Sequence, residues 1–264
     1  MNLDYSEEQK LLKESIERWA QDNYSFDQRN ASADNEVGFS DEHWNTFAEL
    51  GWLSIPFAEA DGGFGGNIVD MAAIMEEFGK ALLLEPMFTT MAMFGGVVSA
   101  AGSEQQRADL LEPLIGGQLK GAVGVYEPHS RFDMSDVQTK ASESGDGYAI
   151  SGSKSMVLGA PSADKIVVLA RTSGEAKDEA GLSLFLVDAD AAGLSRHDYS
   201  LMDGHKASDL TLNDVTGELM GELDAAYATM SSVMEQVHIA LAAEAVGIME
   251  VLNKTTVEYT KKRK

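Results

Sequence analysis

The spacing of apolar residues changes within residues 110–126, LLEPLIGGQLKGAVGVY. Before this stretch apolar side chains recur at helical spacing, and after about residue 120 they occur in short β-rich runs separated by glycine and aspartate. Because no long helical pattern separates these runs, we expect antiparallel strands in a barrel or sandwich rather than a parallel, doubly wound sheet. The runs are Gly121 to Tyr126, Tyr148 to Ser151, Lys165 to Ala170, Leu182 to Val187 and Leu210 to Leu212.

Two capped helices are predicted in the first fifty residues. Ser6 and Gln9 stand in the relation of a capping box, so the first helix should begin directly after Ser6. Ser40 should cap a second helix, and Gly51 supplies the left-handed residue that ends it. The polar residues 23–39 between these helices are predicted to form a loop.

The chain returns to a helical pattern from about Ala225 to Lys264. A helix of this length, ~60 Å, carries an apolar stripe that one helix cannot bury by itself. Its partners should come from another chain or from a carboxy-terminal domain that has been cut away. We therefore divide the chain into a helical amino-terminal domain (residues 1–118), a β-barrel middle domain (119–224) and the first helix of a truncated helical carboxy-terminal domain (225–264).

Charge and composition exclude several classes of protein. The 20 Lys and Arg residues against 43 Asp and Glu give a formal net charge of −23, so nucleic acid and anionic membrane surfaces are poor partners. The uncharged stretch from Pro86 to Ser103 is too rich in glycine and hydroxyl residues for a membrane span. There is no cysteine, and the amino terminus lacks the features of an export signal, so a cytoplasmic location is expected.

Few residues indicate chemistry on their own. The five histidines stand apart without a pair at ligand spacing, so no metal site is predicted. Glu235 and Glu244 lie among apolar residues of the last helix, where a carboxylate can act as a general base. A structural or solvent-exposed role is nevertheless more common for a helical glutamate.

Several short motifs are spread across essentially the whole chain. They are Gly51-Trp52-Leu53, Gly62-Gly63-Phe64-Gly65, Glu76-Glu77-Phe78-Gly79-Lys80, Glu127-Pro128, Gly152-Ser153-Lys154, Gly204 to Asp209, Ala242 to Gly247, and Tyr259 with Arg263. Together, and in this order, they resemble the helical domain, the barrel domain and the first helix of the third domain of the acyl-CoA dehydrogenase family.

The resemblance implies an α+β multidomain fold with an amino-terminal α-helical bundle, a middle antiparallel β-barrel, and one long helix that begins a truncated third helical domain. It also implies α,β-desaturation of an acyl-CoA thioester, in which a glutamate removes the α-proton while a β-hydride passes to FAD. Such an oxidoreductase of lipid metabolism would take acyl-CoA as substrate and an electron-transfer flavoprotein or similar acceptor as partner. A homo- or hetero-oligomer is expected.

By correspondence with the family, the flavin ring should lie in a flat slot of the middle β unit, flanked by residues 125–133 and 156–158. The implied cofactor-binding residues are Val125, Tyr126, Phe132, Met156, Val157, Leu158 and Arg263. The implied substrate-binding residues are Phe132, Met234, Val237 and His238.

The chain departs from the family pattern where the flavin would bind. Tyr126 stands in place of a threonine and Phe132 in place of a serine. The family's W-x-T segment is Met156-Val157-Leu158, so a hydroxyl expected near the flavin is missing.

The chain also departs from the family at the catalytic base. Val237 occupies the position at which some members carry that base, and Glu244 lies two turns further along, ~10 Å away. No catalytic residue is therefore assigned, and the chain alone is expected to be inactive.

Three interpretations stay open. The chain is a portion of an acyl-CoA dehydrogenase, a non-catalytic partner subunit of a heteromeric one with a degenerate flavin site, or a flavin-free acyl-CoA-binding protein. The absorbance of bound flavin would separate the first two from the third.

Overall fold

The computed structural model describes residues 4–145 and 147–263, and it contains helices, then a β-barrel, then one long helix. This confirms the predicted fold class, while Lys264 and residues 1–3, the ends of the predicted outer domains, lie outside the described residues. The helices are α1 (Glu7–Asn23), α2 (Phe26–Asp34), α3 (Asp41–Glu49), α4 (Ile68–Ala81), α5 (Gly96–Ala101), α6 (Glu104–Ile115) and α7 (Ala226–Lys262), with a π-helical stretch Met87–Gly95 before α5. The strands are β1 (Gly121–Gly124), β2 (Lys140–Ser144), β3 (Gly147–Leu158), β4 (Lys165–Arg171), β5 (Leu182–Asp188), β6 (Leu194–Ser200) and β7 (Lys206–Met220).

The predicted helix starts are confirmed by their caps. The hydroxyl of Ser6 accepts the N–H of Gln9, and the Gln9 side chain accepts the N–H of Ser6. Ser40 accepts the N–H of His43 at the start of α3, and Gly51 has φ +76° just after that helix. These side chains satisfy N–H groups that have no partner within the helix.

The prediction of a loop over residues 23–39 is wrong, because α2 lies within it. Ser25 and Gln28 form a second capping box at its start. Of its residues only Ser32 is buried, so α2 has no apolar stripe by which periodicity could reveal it.

The amino-terminal helices enclose an aromatic core. The rings of Trp19 and Trp52 pack against Phe47 at centroid distances of 4.8 Å, and Phe78 of α4 lies 5.5 Å from Phe47. Most of these pairs are edge-to-face or tilted, the arrangements that aromatic quadrupoles favour. This core packs α4 against α1 and α3.

The strands close into a barrel in the order β1-β4-β2-β3-β7-β5, with β5 returning to β4 and β6 lying on β7. Most pairs are antiparallel as predicted. The exceptions are β1 with β4, and a single bridge from Lys140 of β2 to Arg171 of β4, both of which are parallel. The predicted antiparallel β-barrel is confirmed, with parallel pairing at these two places. Parallel pairing is possible there because β2 and β3 lie between β1 and β4 in the chain, and β3 lies between β2 and β4.

Strand β4 shows how the barrel joins the helices. Ile166 and Val168 belong to the barrel interior, while Val167 and Leu169 belong to the core shared with the helices. Alternate residues of a strand point to opposite faces, so a strand buried on both sides carries a continuous apolar run.

Helix α7 crosses α4 at close range and then extends away from the body of the protein. Gly79 of α4 and Gly247 of α7 lie at the crossing. Every described residue from Met249 to Arg263 is exposed. The described part of the chain thus leaves the second half of the apolar stripe of α7 uncovered. Within residues 4–145 and 147–263, no helix has both the length and the apolarity that a bilayer crossing needs.

Candidate functional site

A buried ion pair joins the two segments that were predicted to flank a flavin. Lys154 of β3 is fully buried, and its ammonium donates to Glu127 Oε1 at 2.8 Å and to the carbonyl of Val125 at 3.0 Å. The N–H of Ser155 donates to the carbonyl of Tyr126 at 2.9 Å. The structure therefore brings residues 125–127 and 154–158 side by side.

Glu127 anchors the first of these segments. Its carboxylate also accepts the N–H groups of Gln138 and Thr139 at 2.9 and 3.0 Å. Burial by itself would raise the pKa of Glu127, but Lys154 and the two N–H groups hold that pKa below its ordinary value. Burial lowers the pKa of Lys154 to about 8, although the attraction of Glu127 opposes this change.

Phe132 and Met156 present apolar surface beside this ion pair. Phe132 is 85% exposed, and its ring lies edge-on to Tyr126 with 6.3 Å between centroids. Met156 is 52% exposed and has φ +51° at a bulge between β3 and β7, where its N–H donates to Asp209 at 3.0 Å. Both side chains point outward rather than into the body of the barrel.

The other predicted site residues are more dispersed. The side chains of Val125, Val157 and Val237 are buried in the hydrophobic cores. Met234 packs against the core, and His238 on the same helix is exposed. The side chains of these three valines are therefore not accessible to a ligand in this structure.

Arg263 lies far along α7 from the other predicted cofactor residues. Val125 and Tyr126 belong to the same hydrophobic core as Ala226 and Tyr227 of the first turn of α7. Arg263 follows the last turn, and about 36 residues of helix span ~54 Å. The structure therefore does not bring Arg263 to the same chain's predicted slot.

A cavity of about 130 Å³ lies where the amino-terminal helices, the barrel and α7 meet. Leu158, the last residue of β3, belongs both to its wall and to the predicted flavin slot. The remaining wall is mostly apolar and includes Phe39, Met75, Phe78, Leu83, Leu84, Phe88, Leu201 and Leu241. Sequence reasoning did not find this cavity, because its walls come from segments far apart in the chain.

Three acidic residues at the cavity differ in their partners. The Glu85 side chain is fully buried, and its Oε1 lies 2.9 Å from Nδ1 of His43. Asp203 pairs with His205, and this hydrogen bond lowers the pKa of Asp203 to about 2. Glu244 makes no hydrogen bond or ion pair with any residue that the structure describes.

Burial raises the pKa of Glu244 above its ordinary value. His205 opposes this change and Asp203 adds to it. A half-buried carboxylate without a partner, in an apolar cavity, is available to a ligand. In the described part of the chain, no group of His, Asp or Glu side chains is placed to hold a metal ion.

Comparison with protein families gives two matches. The domain described as "Acyl-CoA dehydrogenase, N-terminal domain" matches residues 6–118, and "Acyl-CoA dehydrogenase, middle domain" matches residues 122–215.

Individual proteins agree with these matches. A probable acyl-CoA dehydrogenase of Bacillus subtilis is 29% identical over all of this chain, which covers 71% of that protein. A caffeyl-CoA reductase–Etf complex subunit of Acetobacterium woodii is 27% identical over 86% of this chain and 62% of its own length. The solved structure titled "PigA with FAD and proline" is 25% identical, with a TM-score of 0.90 over all of this chain and 71% of the other. The chain thus spans between 62 and 71% of these proteins' lengths.

Proposed function

Because this chain belongs to the acyl-CoA dehydrogenase family of flavoprotein oxidoreductases, we propose that it binds FAD and an acyl-CoA thioester and takes part in α,β-desaturation of the acyl group. One observation carries the proposal. Leu158 ends the strand that flanks the predicted flavin slot, and it also lines the cavity. An acyl chain in this cavity would therefore start next to the ring that accepts its hydride.

The cavity suits the apolar part of an acyl group. It is a concave space between three structural units, and its wall is mostly aliphatic and aromatic. The chain's own residues would bury the acyl chain, exclude water from it and hold its reacting carbons beside the slot.

The residues of the slot fit a flat ring system held by apolar contacts and backbone donors. Phe132 and Met156 expose apolar surface, and the N–H groups of Arg131 and Phe132 donate to no described residue. Burial raises the pKa of Tyr126, so its hydroxyl stays protonated at neutral pH and can donate a hydrogen bond. When bound, FAD would supply the hydride acceptor.

The catalytic base is proposed to come from outside the described residues, either in this protein or in a partner. Val237 is aliphatic and buried, so it cannot remove a proton. Glu244 lies ~10 Å further along α7, which is too far to reach the same carbon in the same substrate pose.

The proposed partners follow from α7 and from the relatives. The exposed second half of α7 offers an apolar face to another helix, and Arg263 would reach only a cofactor held by a neighbouring chain. The Acetobacterium relative is named as part of an Etf complex, and an electron-transfer flavoprotein or similar acceptor is proposed here as well.

A second candidate function is a non-catalytic partner subunit of a heteromeric acyl-CoA dehydrogenase. The aliphatic Leu158 at the slot favours it, because a flavin would lose a hydroxyl contact there. In this case the chain would shape the complex while another chain supplies the base and the cofactor.

A titration of the purified chain with FAD, followed by visible absorbance and fluorescence quenching, tests the proposal. We expect binding of one FAD per chain, and tighter binding by Leu158→Thr, which restores a hydroxyl at the slot. Glu235→Gln, an exposed change on α7, serves as the control and should leave FAD affinity unchanged.

The outcome with acyl-CoA separates the alternatives. Reduction of bound flavin by acyl-CoA would support a dehydrogenase, and reduction only after a partner chain is added would favour the partner subunit. Acyl-CoA binding without any FAD binding, either by the chain alone or with the partner chain added, would contradict both and favour a flavin-free acyl-CoA-binding protein.

A further inference from the structure

Glu244 is held in a fixed position at the wall of the cavity. The backbone of α7 at Glu244 lies directly against Gly79 of α4, so the helix cannot turn or withdraw without breaking that crossing. The neighbouring turn contributes Leu241 to the same wall. The backbone of Glu244 is therefore fixed at the cavity, and its carboxylate can move only by rotation of the side chain.

The surroundings of Glu244 leave its carboxylate without a hydrogen-bond or ion-pair partner among the described residues. The other acidic residues of the wall have histidine partners: Oε1 of Glu85 contacts His43 and Asp203 contacts His205, while Oε2 of Glu85 is buried without a hydrogen bond. Glu244 alone has no hydrogen bond or ion pair among the residues that the structure describes. A polar group that is partly removed from water in this way costs stability unless something binds it.

The position of Glu244 along α7 indicates which part of an acyl group would meet it. The family resemblance puts the reacting carbons near Val237, and two turns of helix separate this residue from Glu244 by ~10 Å. A group bound by Glu244 would then lie several bonds down the acyl chain from the thioester.

We propose that Glu244 selects acyl groups that carry a hydrogen-bond donor, a hydroxyl or an ammonium, several bonds down the acyl chain from the thioester. This inference rests on the proposed function, because it assumes that an acyl chain occupies the cavity. A purely hydrocarbon chain would bury the carboxylate without satisfying it, whereas a donor would complete its hydrogen bonding. Glu244 is thus a specificity-determining residue and takes no part in the transfer of hydride or proton.

The test compares binding of three acyl-CoA thioesters of equal chain length, which end in a methyl, a hydroxyl or an ammonium group. Isothermal titration of the wild-type chain in the presence of FAD should give about 10- to 100-fold tighter binding of at least one donor-bearing thioester than of the methyl-terminated one. Glu244→Leu should abolish or reverse this preference. Glu235→Leu, which removes an exposed carboxylate of the same helix outside the cavity, should retain it.

The outcomes separate this inference from the proposed function. If the wild type binds the thioesters without preferring a donor, the inference is overturned while the proposed function stands. If no thioester binds, the proposed function fails and the inference falls with it. Because the wild-type preference is measured directly, the result does not depend on correct folding of the variants.

Discussion

A β-carbon built on Gly79 would lie 2.1 Å from the carbonyl oxygen of Glu244. One turn further along α7, a glycine of α7 lies equally close to the backbone of α4. A β-carbon on Gly247 would lie 1.9 Å from the carbonyl oxygen of Glu76. The backbones of α4 and α7 therefore touch with no side chain between them. Beside this crossing, Met75 and Phe78 of α4 and Leu241 and Glu244 of α7 line the same cavity.

Substitution of either crossing glycine should destabilise the protein. We expect Gly79→Ala and Gly247→Ala each to lower the free energy of unfolding by about 2–3 kcal/mol, because the added methyl group forces the helices apart. Alanine's higher helix propensity, about 1 kcal/mol, offsets only part of this cost. Urea unfolding followed by circular dichroism measures the change.

The matched control is Gly96→Ala in α5, where the new β-carbon would lie an ordinary 3.4 Å from Val233. This variant should be as stable as the wild type or more stable. Equal effects at Gly79 and Gly96 would show that the backbone contact is unimportant.

Because of the buried Lys154, the free energy of unfolding should change with pH in the alkaline range. Lys154 has a pKa of about 8 in the folded protein and about 10.5 when unfolded. Between these values the unfolded chain holds the proton more tightly, so the contribution of Lys154 to stability rises with pH across this window. The gain should reach about 3 kcal/mol at its upper end, measured as the free energy of unfolding of the wild type minus that of Lys154→Met.

This subtraction removes the general effect of the chain's large negative charge at high pH. A difference between wild type and Lys154→Met that stays constant from pH 7 to 10.5 would mean that Lys154 does not titrate in this range.

Glu244 should give a pH dependence of opposite sign. Its pKa is raised by burial in the folded protein, so ionisation penalises folding once the pH exceeds the unfolded value of about 4.3. The penalty is absent below that pH, grows through the folded pKa and stays constant above it. Glu244→Gln should therefore be more stable than the wild type at neutral pH, by about 1 kcal/mol, and lose this advantage in acid.

Thermal or urea unfolding at pH 4 and pH 8 checks this expectation, with Glu235→Gln as the exposed counterpart on the same helix. An equal gain for both variants would assign the effect to net charge rather than to the cavity.

The far part of α7 should be dispensable for folding of the single chain. Residues 255–263 are all exposed, so a chain ending at Lys254 should keep its free energy of unfolding within about 0.5 kcal/mol. A chain ending at Ala240 should be strongly destabilised, because it loses Gly247 and the whole crossing with α4.

Analytical ultracentrifugation shows whether monomers are being compared. A large decrease in the free energy of unfolding of the chain ending at Lys254 would contradict the description of residues 255–263 as uncovered.

The sequence predicted those elements whose signals are local. Ser6 and Ser40 cap their helices through hydrogen bonds to residues three positions further along the chain. These helix starts can therefore be recognised from the sequence without knowledge of the tertiary structure. Helix α2 carried the same signal in Ser25 and Gln28, but the absence of an apolar stripe led to the prediction of a loop. Strand β6 was missed for a related reason, since most of its residues are exposed and it is held by pairing with β7.

The candidate site could be predicted only in part. Resemblance to a family pointed to the segments around Glu127 and Met156, and the Lys154 ion pair does bring these segments together. The cavity could not be predicted from the sequence. The position at which α7 crosses α4 determines which glutamate of α7 faces the cavity. That crossing rests on two glycines whose backbone partners lie far away in the chain.

This long separation has a consequence for biosynthesis. The nascent chain completes α4 about 165 residues before it reaches the segment of α7 that covers it. At translation rates of roughly 5–20 residues per second, the ribosome needs on the order of 10–30 s to synthesise the chain between α4 and this segment of α7. During this interval the apolar flank of α4 stays accessible to chaperones and to neighbouring nascent chains.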